Sequence, residues 1–373
     1  MNLSVCIIAK NEEKHIEKCM QCLSDKEVQI VVADTGSTDK TKEIAKKYTE
    51  FVYDFKWIDD FGAAKQFAVS KASNDNILIL DCDEYLQSDK TVLEKLNSML
   101  ENVPRRAGRI KCINVLEDDS KNTDWITRAF NRKYYKVEGK IHEQIVKADG
   151  EPADTFLSAV VIKHVGYALN DDEKKKKASR NIKLLKKRLA ELEKNFDSDI
   201  TQNNEKEIPY IYYQLGKSYY MEKDYNNACD FFSKGLSFDL EPKLEYVIDM
   251  VETYGYAMLN SGKVQEALSY TSIYDVFGNS ADFKFLMGLI YMKNAMFDEA
   301  VNEFQKAAEY KESRVEGANS YLAYYNIGVI YECLGNIGKA QEYYKKCNGY
   351  SKAVERLKNG RHGNLTKCRK TGV

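Results

Sequence analysis

Asn76-Ile77-Leu78-Ile79-Leu80-Asp81-Cys82-Asp83-Glu84-Tyr85 is the stretch on which the reading of the chain turns. Its first half is an unbroken apolar run, the pattern of a central strand buried on both faces. It then breaks into three acids, Asp81, Asp83 and Glu84. Carboxylates at the end of a buried strand are costly unless something positive pairs with them. A divalent cation can do this: Asp81 and Asp83, two residues apart, can converge on a hard ion that keeps other positions for phosphate oxygens. The same residues also read as an acidic turn that caps the next helix.

The flanking sequence repeats this arrangement. Leu3-Ser4-Val5-Cys6-Ile7-Ile8-Ala9 reads as a buried strand, followed by Lys10-Asn11-Glu12-Glu13 and a helix to about residue 23. Val28-Gln29-Ile30-Val31-Val32-Ala33 is a second strand ending in Asp34-Thr35-Gly36-Ser37-Thr38-Asp39, with a helix over about 40–48. Phe51-Val52-Tyr53-Asp54 is a short third strand, and residues 61–72 place small residues at helical spacing. Alternating strands and helices imply an α/β domain built on a mostly parallel sheet with right-handed crossovers. Ligands of such sheets lie at the carboxyl ends of the strands. Ala9-Lys10-Asn11, Asp34 and the Asp81/Asp83 pair all fall at such ends. Asp34 can accept from a ribose hydroxyl or a base N–H, and the Thr35-Gly36-Ser37 turn can open a helix with its backbone N–H groups. Turn and N-cap chemistry is the other reading of that turn. Lys65, on a small-residue helix face with Ala63, Ala64 and Ala68, can neutralise a diphosphate or stand as a solvated lysine.

Bulk composition bounds the answer. A chain of 373 residues is long for one core, so two domains are expected. Net charge is −1, which offers no global field for nucleic acid or an anionic membrane. No apolar run approaches the ~18 residues that span a bilayer. The nine cysteines are odd in number, and Met1-Asn2 runs straight into a strand with no signal peptide, so a cytoplasmic setting is expected. Cys19 and Cys22 have redox or zinc spacing, but no second pair follows.

The set Val5-Cys6-Ile7-Ile8-Ala9-Lys10-Asn11-Glu12-Glu13, Asp34-Thr35-Gly36-Ser37-Thr38-Asp39, Lys65-Gln66 and Leu80-Asp81-Cys82-Asp83-Glu84 resembles, in order and spacing, the family 2 glycosyltransferases of the GT-A fold. The resemblance covers about residues 1–170. It implies a nucleotide-diphospho-sugar donor, with uridine the favoured base, and a Mn²⁺ or Mg²⁺ ion held at a DXD motif. It implies donor contacts from Ala9, Asn11, Glu12, Asp34, Lys65, Asp81 and Cys82, and metal ligation by Asp83 and Asp81. Lys65-Gln66 stands where the family usually has Arg-Asn, which keeps the charge but loses the bidentate fork. His164 closes the strand Val160-Val161-Ile162-Lys163 and resembles the late-strand histidine that many GT-A enzymes use as a third metal ligand. A satisfied core histidine is the alternative. His142-Glu143 resembles the His-Glu pair of a branch that includes lipopolysaccharide-core and peptide transferases. Inverting transfer needs one base to take the acceptor proton. Glu143 is expected in that role, with His142 as second candidate; a surface pair on a strand edge is the other reading.

Beyond the charge run 170–177, which reads as a helix start or a flap over the donor, an amphipathic pattern runs to residue 195 and a polar loop is expected over 197–207. Residues 171–207 are thus read as a helical linker. From Pro209 a repeat emerges. Gly216, Gly255, Gly288 and Gly328 are each followed twelve residues on by Ala228, Ala267, Ala300 and Ala340. Large residues stand four further on in three units: Phe232, Phe304 and Tyr344. This resembles the tetratricopeptide repeat, an all-α helix-turn-helix array, here over 208–357, with a flexible tail from 358. The expectation is therefore a metal-dependent inverting hexosyltransferase. Its repeats would serve a peptide or protein acceptor, or self-association as a homodimer. A cell-surface glycan or lipid-linked acceptor, and a non-catalytic scaffold with a nucleotide-binding domain, are the alternatives.

Overall fold

Short apolar runs rich in β-branched residues become the strands Leu3–Ala9 (β1), Gln29–Asp34 (β2), Val52–Asp54 (β3) and Asn76–Asp81 (β4). The structure, a computed structural model, describes residues 1–115, 120–166, 171–195 and 202–361. It divides into two units, Met1–Glu173 and Lys174–Val373.

In the first unit the helices Ile16–Gln21 (α1), Thr41–Ala45 (α2) and Phe61–Ser70 (α3) link these strands in the expected alternation, α1 and α2 being shorter than the sequence pattern indicates. Glu84–Leu86 (β5), Lys90–Asn102 (α4), Ala107–Val115 (β6), Lys121–Asn131 (β7), Tyr135–Glu138 (β8), Gln144–Lys147 (β9) and Thr155–His164 (β10) complete it. One sheet runs β3-β2-β1-β4-β7-β6-β10-β5, and β8 and β9 form a separate hairpin. β3, β2, β1 and β4 are mutually parallel; β7 then runs antiparallel to β4. The continuous apolar character of β1 and β4 follows from burial on both faces. Val5, Ile7, Leu78 and Leu80 pack on one side with α1 and α4, while Cys6, Ile77 and Ile79 pack on the other with Ala68 and Val69 of α3. Chain order reverses direction between β1 and β4, so the crevice for a ligand opens where Ala9 and Asp81 end their strands.

The second unit is helical: Asp171–Asn195 (α5), Gln202–Met221 (α6), Tyr225–Leu236 (α7), Glu245–Asn260 (α8), a 3₁₀ segment Glu266–Ile273, Tyr274–Phe277 (α9), Ala281–Lys293 (α10), Phe297–Ala307 (α11), Tyr321–Cys333 (α12), Ile337–Lys346 (α13) and Ser351–Arg361 (α14). From Lys174 on, the stretch read as a helical linker falls within the second unit. The expected loop over 197–207 is not a loop throughout. α6 begins at Gln202 and carries Pro209 inside it. A bidentate pair ties its early turns to α5: Arg188 donates to both oxygens of Glu207 at 2.7 and 2.8 Å. Of the expected flap over 170–177, only Asn170 lies outside the described residues, and 171–177 open α5. The tail beyond Arg361 is likewise outside them, and residues 358–361 belong to α14.

The repeat rule has a direct physical basis. A Cβ on Gly216 would sit 2.5 Å from the Phe232 ring, one on Gly288 2.6 Å from Phe304, and one on Gly328 2.5 Å from Tyr344. The aromatic sixteen residues after each glycine therefore lies against its bare backbone. In the unit of Gly255 that position is Thr271; Leu286 fills the space instead, and the second helix tightens to the 3₁₀ segment. Replacing Gly288 by alanine would gain ~1 kcal/mol of helix propensity in open space. Here the methyl meets a fully buried ring, and overpacking of ~1–3 kcal/mol outweighs the gain. Gly288→Ala is expected to lower the urea midpoint of the helical unit; a raised midpoint would contradict this packing.

Candidate active site

The loops after β1 and β2 are laced together by short polar side chains. The Asn11 N–H donates to Ser37 Oγ at 3.0 Å, the Glu12 N–H to Thr41 Oγ1 at 2.7 Å, and the Thr38 N–H to Asn11 Oδ1 at 2.8 Å. Asn11 adopts a left-handed backbone (φ 55) to make this turn. Its side chain thus builds the loop, as does the Ala9 carbonyl, which accepts from the Thr35 N–H at 2.9 Å. Asp34 accepts through Oδ2 from Gly36 and Ser37 N–H at 3.1 and 3.0 Å. Its other oxygen, Oδ1, is buried with no hydrogen-bond partner among the described residues. A buried acceptor of this kind costs ~1–3 kcal/mol if nothing meets it. Cys82 donates its thiol to the Ile8 carbonyl at 3.3 Å, which seals β4 to β1 beneath the rim, and burial pushes that thiol far up.

Five charged side chains then alternate in sign. Glu143 Oε1 meets Lys65 Nζ at 2.6 Å, Lys65 meets Asp81 Oδ1 at 2.8 Å, Arg128 meets Asp81 Oδ2 at 2.9 Å, and Arg128 meets Glu84 Oε1 at 2.8 Å. Lys65 and Glu84 are buried, with side chains 4% and 3% exposed. Burial would raise the Asp81 carboxyl, but Lys65 and Arg128 together pull it far below the usual carboxylate range. Burial would lower Lys65, but Asp81 and Glu143 hold it above its ordinary value. Glu84 is pushed up by burial, against the pull of Arg128.

Backbone architecture brings these groups together. The β8–β9 hairpin tip docks on the start of α3: the Phe61 N–H donates to Lys140 O at 2.9 Å and the Gly62 N–H to Gly139 O at 3.1 Å. A Cβ at Gly62 would lie 2.5 Å from that Gly139 oxygen, so only glycine permits the approach. His142 and Glu143 belong to this tip, His142 with φ 53, rather than to a strand edge. Arg128 arrives through the antiparallel register of β7 on β4, which pairs Ala129 with Leu78.

Asp83 and His164 form a second centre. β5 returns antiparallel to β10 with Glu84 opposite His164, and His164 Nε2 lies 3.3 Å from Asp83 Oδ2. His164 Nδ1 lies 2.8 Å from Asn114 Oδ1. A Cβ on Gly166 would fall 2.1 Å from Asp83 Oδ2 and 2.5 Å from His164 Nε2. Asp81 does not join this pair, because both its oxygens are held by cations. Among the described residues no three His, Cys, Asp or Glu side chains cluster so as to hold a metal. Lys65 likewise is committed to Asp81 and Glu143. Arg128, Glu84, Asn114 and Gly166 were given no role from sequence. Arginine inside the otherwise semi-apolar run Trp125-Ile126-Thr127-Arg128-Ala129-Phe130 was the available signal.

Residues 4–157 match the model for glycosyl transferase family 2, and residues 210–234, 281–314 and 321–353 match tetratricopeptide repeat models. The chain therefore joins a family 2 glycosyl transferase domain to tetratricopeptide repeats. It is 30% identical over 191 residues to the SPbeta prophage-derived glycosyltransferase SunS of Bacillus subtilis, covering 49% of this chain and 44% of that protein. It is 31% identical over 160 residues to the lipopolysaccharide core biosynthesis glycosyltransferase LpsC of Rhizobium meliloti, covering 39% and 57%. A TPR repeat-containing protein of Synechococcus elongatus is 23% identical over 351 residues, covering 91% and 73%. The chain thus spans less than two thirds of the length of SunS and of LpsC. Among the described residues no helix is long and apolar enough to cross a membrane.

Removing Arg128 leaves Asp81 with one cation and Glu84 with none. Breaking a buried pair from one side costs ~3–5 kcal/mol, and Arg128→Met is expected to lose that much at pH 7 by urea unfolding. Asp81 stabilises the fold above the ordinary carboxylate pKa and ceases to as pH falls; Glu84, shifted the other way, opposes it. Because Arg128 deepens the Asp81 shift, the variant should also lose less stability between pH 7 and pH 3 than the parent. Equal stability at pH 7 would contradict the network.

Proposed function

We propose that this protein is a metal-dependent inverting glycosyltransferase that moves a hexosyl group from a UDP-sugar to a side chain of a peptide or protein. The observation that supports this most is the gathering, at the carboxyl ends of one set of strands, of an unpartnered Asp34 oxygen, the Asp83–His164 pair and the hairpin-borne Glu143. Asp34 Oδ1 offers the buried acceptor that a base N–H or ribose hydroxyl of the donor needs.

The residues present fit a divalent cation at Asp83 and His164. Asp83 Oδ2 and His164 Nε2, 3.3 Å apart, would hold it from one side and leave the rest of its shell to diphosphate oxygens and water. Mixed carboxylate and imidazole ligands suit Mn²⁺ as well as Mg²⁺. Such an ion supplies Lewis-acid stabilisation of the departing diphosphate. Glu143 takes the proton of the acceptor hydroxyl or thiol as that atom bonds to the anomeric carbon and the bond to the diphosphate oxygen breaks. Lys65 holds Glu143 Oε1, leaving Oε2 for the proton. Asp81, held from both sides, orients Lys65 rather than the metal.

The repeats favour a peptide acceptor. They already hold a short loop of their own chain: Asp282 on α10 accepts from the N–H groups of Arg314 and Val315 at 2.8 Å each, and Arg314 reaches Glu252 on α8 at 3.1 Å. Stacked repeats of this class present extended binding faces. A glycan acceptor is the second reading, carried by the likeness to LpsC.

With UDP-sugars, the parent protein is expected to hydrolyse donor only with Mn²⁺ or Mg²⁺, and Asp83→Ala to lose this. Retained, chelator-resistant hydrolysis in Asp83→Ala would refute the metal reading. Glu143→Gln should keep donor affinity, measured by thermal shift, and lose ~10²–10⁴ in transfer rate; full transfer activity would remove Glu143 as base. With labelled donor and lysate, label should enter protease-sensitive material. Lipid-extractable label would favour the glycan reading.

A further inference from the structure

Resting on the reading of Asp83 and His164 as metal ligands, we infer that Asn114 is a positioning residue: it fixes the His164 ring so that Nε2 presents its lone pair beside Asp83. Three neighbouring strands carry the device. His164 on β10 is the register partner of Asn114 on β6, and Asn114 is the partner of Asn122 on β7.

The argument is one of donors and acceptors. Asn114 is buried at 4% exposure, and its amide nitrogen donates to Asn122 Oδ1 at 2.6 Å and to Asp124 Oδ2 at 2.8 Å. An ionised carboxylate only accepts, so Asp124 decides which end of the Asn114 amide points its way. The carbonyl end must then face His164, 2.8 Å from Nδ1. An oxygen with no hydrogen to give requires Nδ1 to be the donor. A neutral imidazole has a single N–H, so Nε2 is left as an acceptor.

That acceptor lies 3.3 Å from Asp83 Oδ2. A charge-assisted hydrogen bond would close to ~2.7–2.9 Å; the wider gap is compatible with two ligands of one cation. Gly166 keeps the place clear, since any Cβ there would strike both atoms. The arrangement matches the general rule that a metal-binding histidine is oriented through its other ring nitrogen.

The test uses the full chain without nucleotide and Mn²⁺ alone as probe. Mn²⁺ affinity is read by electron paramagnetic resonance. The His164 tautomer is read from ¹⁵N shifts in histidine-labelled protein, where four histidines keep the spectrum assignable. The parent should show Nδ1-protonated His164 and bind Mn²⁺. Asn114→Leu should weaken Mn²⁺ binding ~10–100-fold and release the ring from the Nδ1–H form. Asp124→Asn, which keeps shape but removes the group that orients Asn114, should shift both readouts in the same direction and guards against misfolding of the first variant. Parent-like Mn²⁺ affinity in both variants overturns the role of Asn114 alone. A parent that binds no Mn²⁺ overturns the metal reading and this inference with it. Nε2-protonated His164 in the parent overturns the inference whatever the metal does.

Discussion

Placing like charges at the ends of buried strands is the constraint that shapes the transferase domain. Asp81, Glu84 and Glu143 converge on one rim, and Lys65 and Arg128 are threaded between them. Without those cations the rim would hold uncompensated carboxylates in a poorly solvated place. With them, Glu143 is held on a hairpin tip at one end, and Glu84, whose Oε2 accepts from the Asp81 N–H, braces the turn at the other. That turn presents Asp83 to His164. Structural pairing and candidate chemistry are thus one network, and a change in either end would be felt at the other.

The division of labour between the two aspartates follows from geometry. Both oxygens of Asp81 are committed to cations, so it acts as an anchor. Asp83, two residues on and past the end of β4, turns to the histidine instead. Glycines mark the close approaches on which this depends: Gly62 against the hairpin, Gly166 over the Asp83–His164 pair.

Much of this architecture could be read from the chain. The strands and their acidic ends were legible because apolar runs and turn residues are local signals. The repeats were legible because one glycine, one alanine and one aromatic recur at fixed spacing, and the structure shows the aromatic seated on the glycine. What could not be read depends on long-range register. Arg128 reaches Asp81 only because β7 pairs antiparallel with β4, and Lys65 meets Glu143 only because the hairpin tip docks on α3. Lys65, expected at a diphosphate, pairs with Asp81 and Glu143 within the network. The helix from Gln202 was hidden by polar composition and by Pro209, which lies inside it.

A crystal of the full chain soaked with Mn²⁺ and UDP, with anomalous scattering collected at the manganese edge, tests the central claim most directly. A single peak within ~2.3 Å of both Asp83 Oδ2 and His164 Nε2, with the uridine moiety on Asp34 Oδ1 and Asp81 still paired to Lys65 and Arg128, is the expected result. A peak that bridges Asp81 and Asp83 without His164, or a UDP bound away from the β1–β4 crevice, would contradict it.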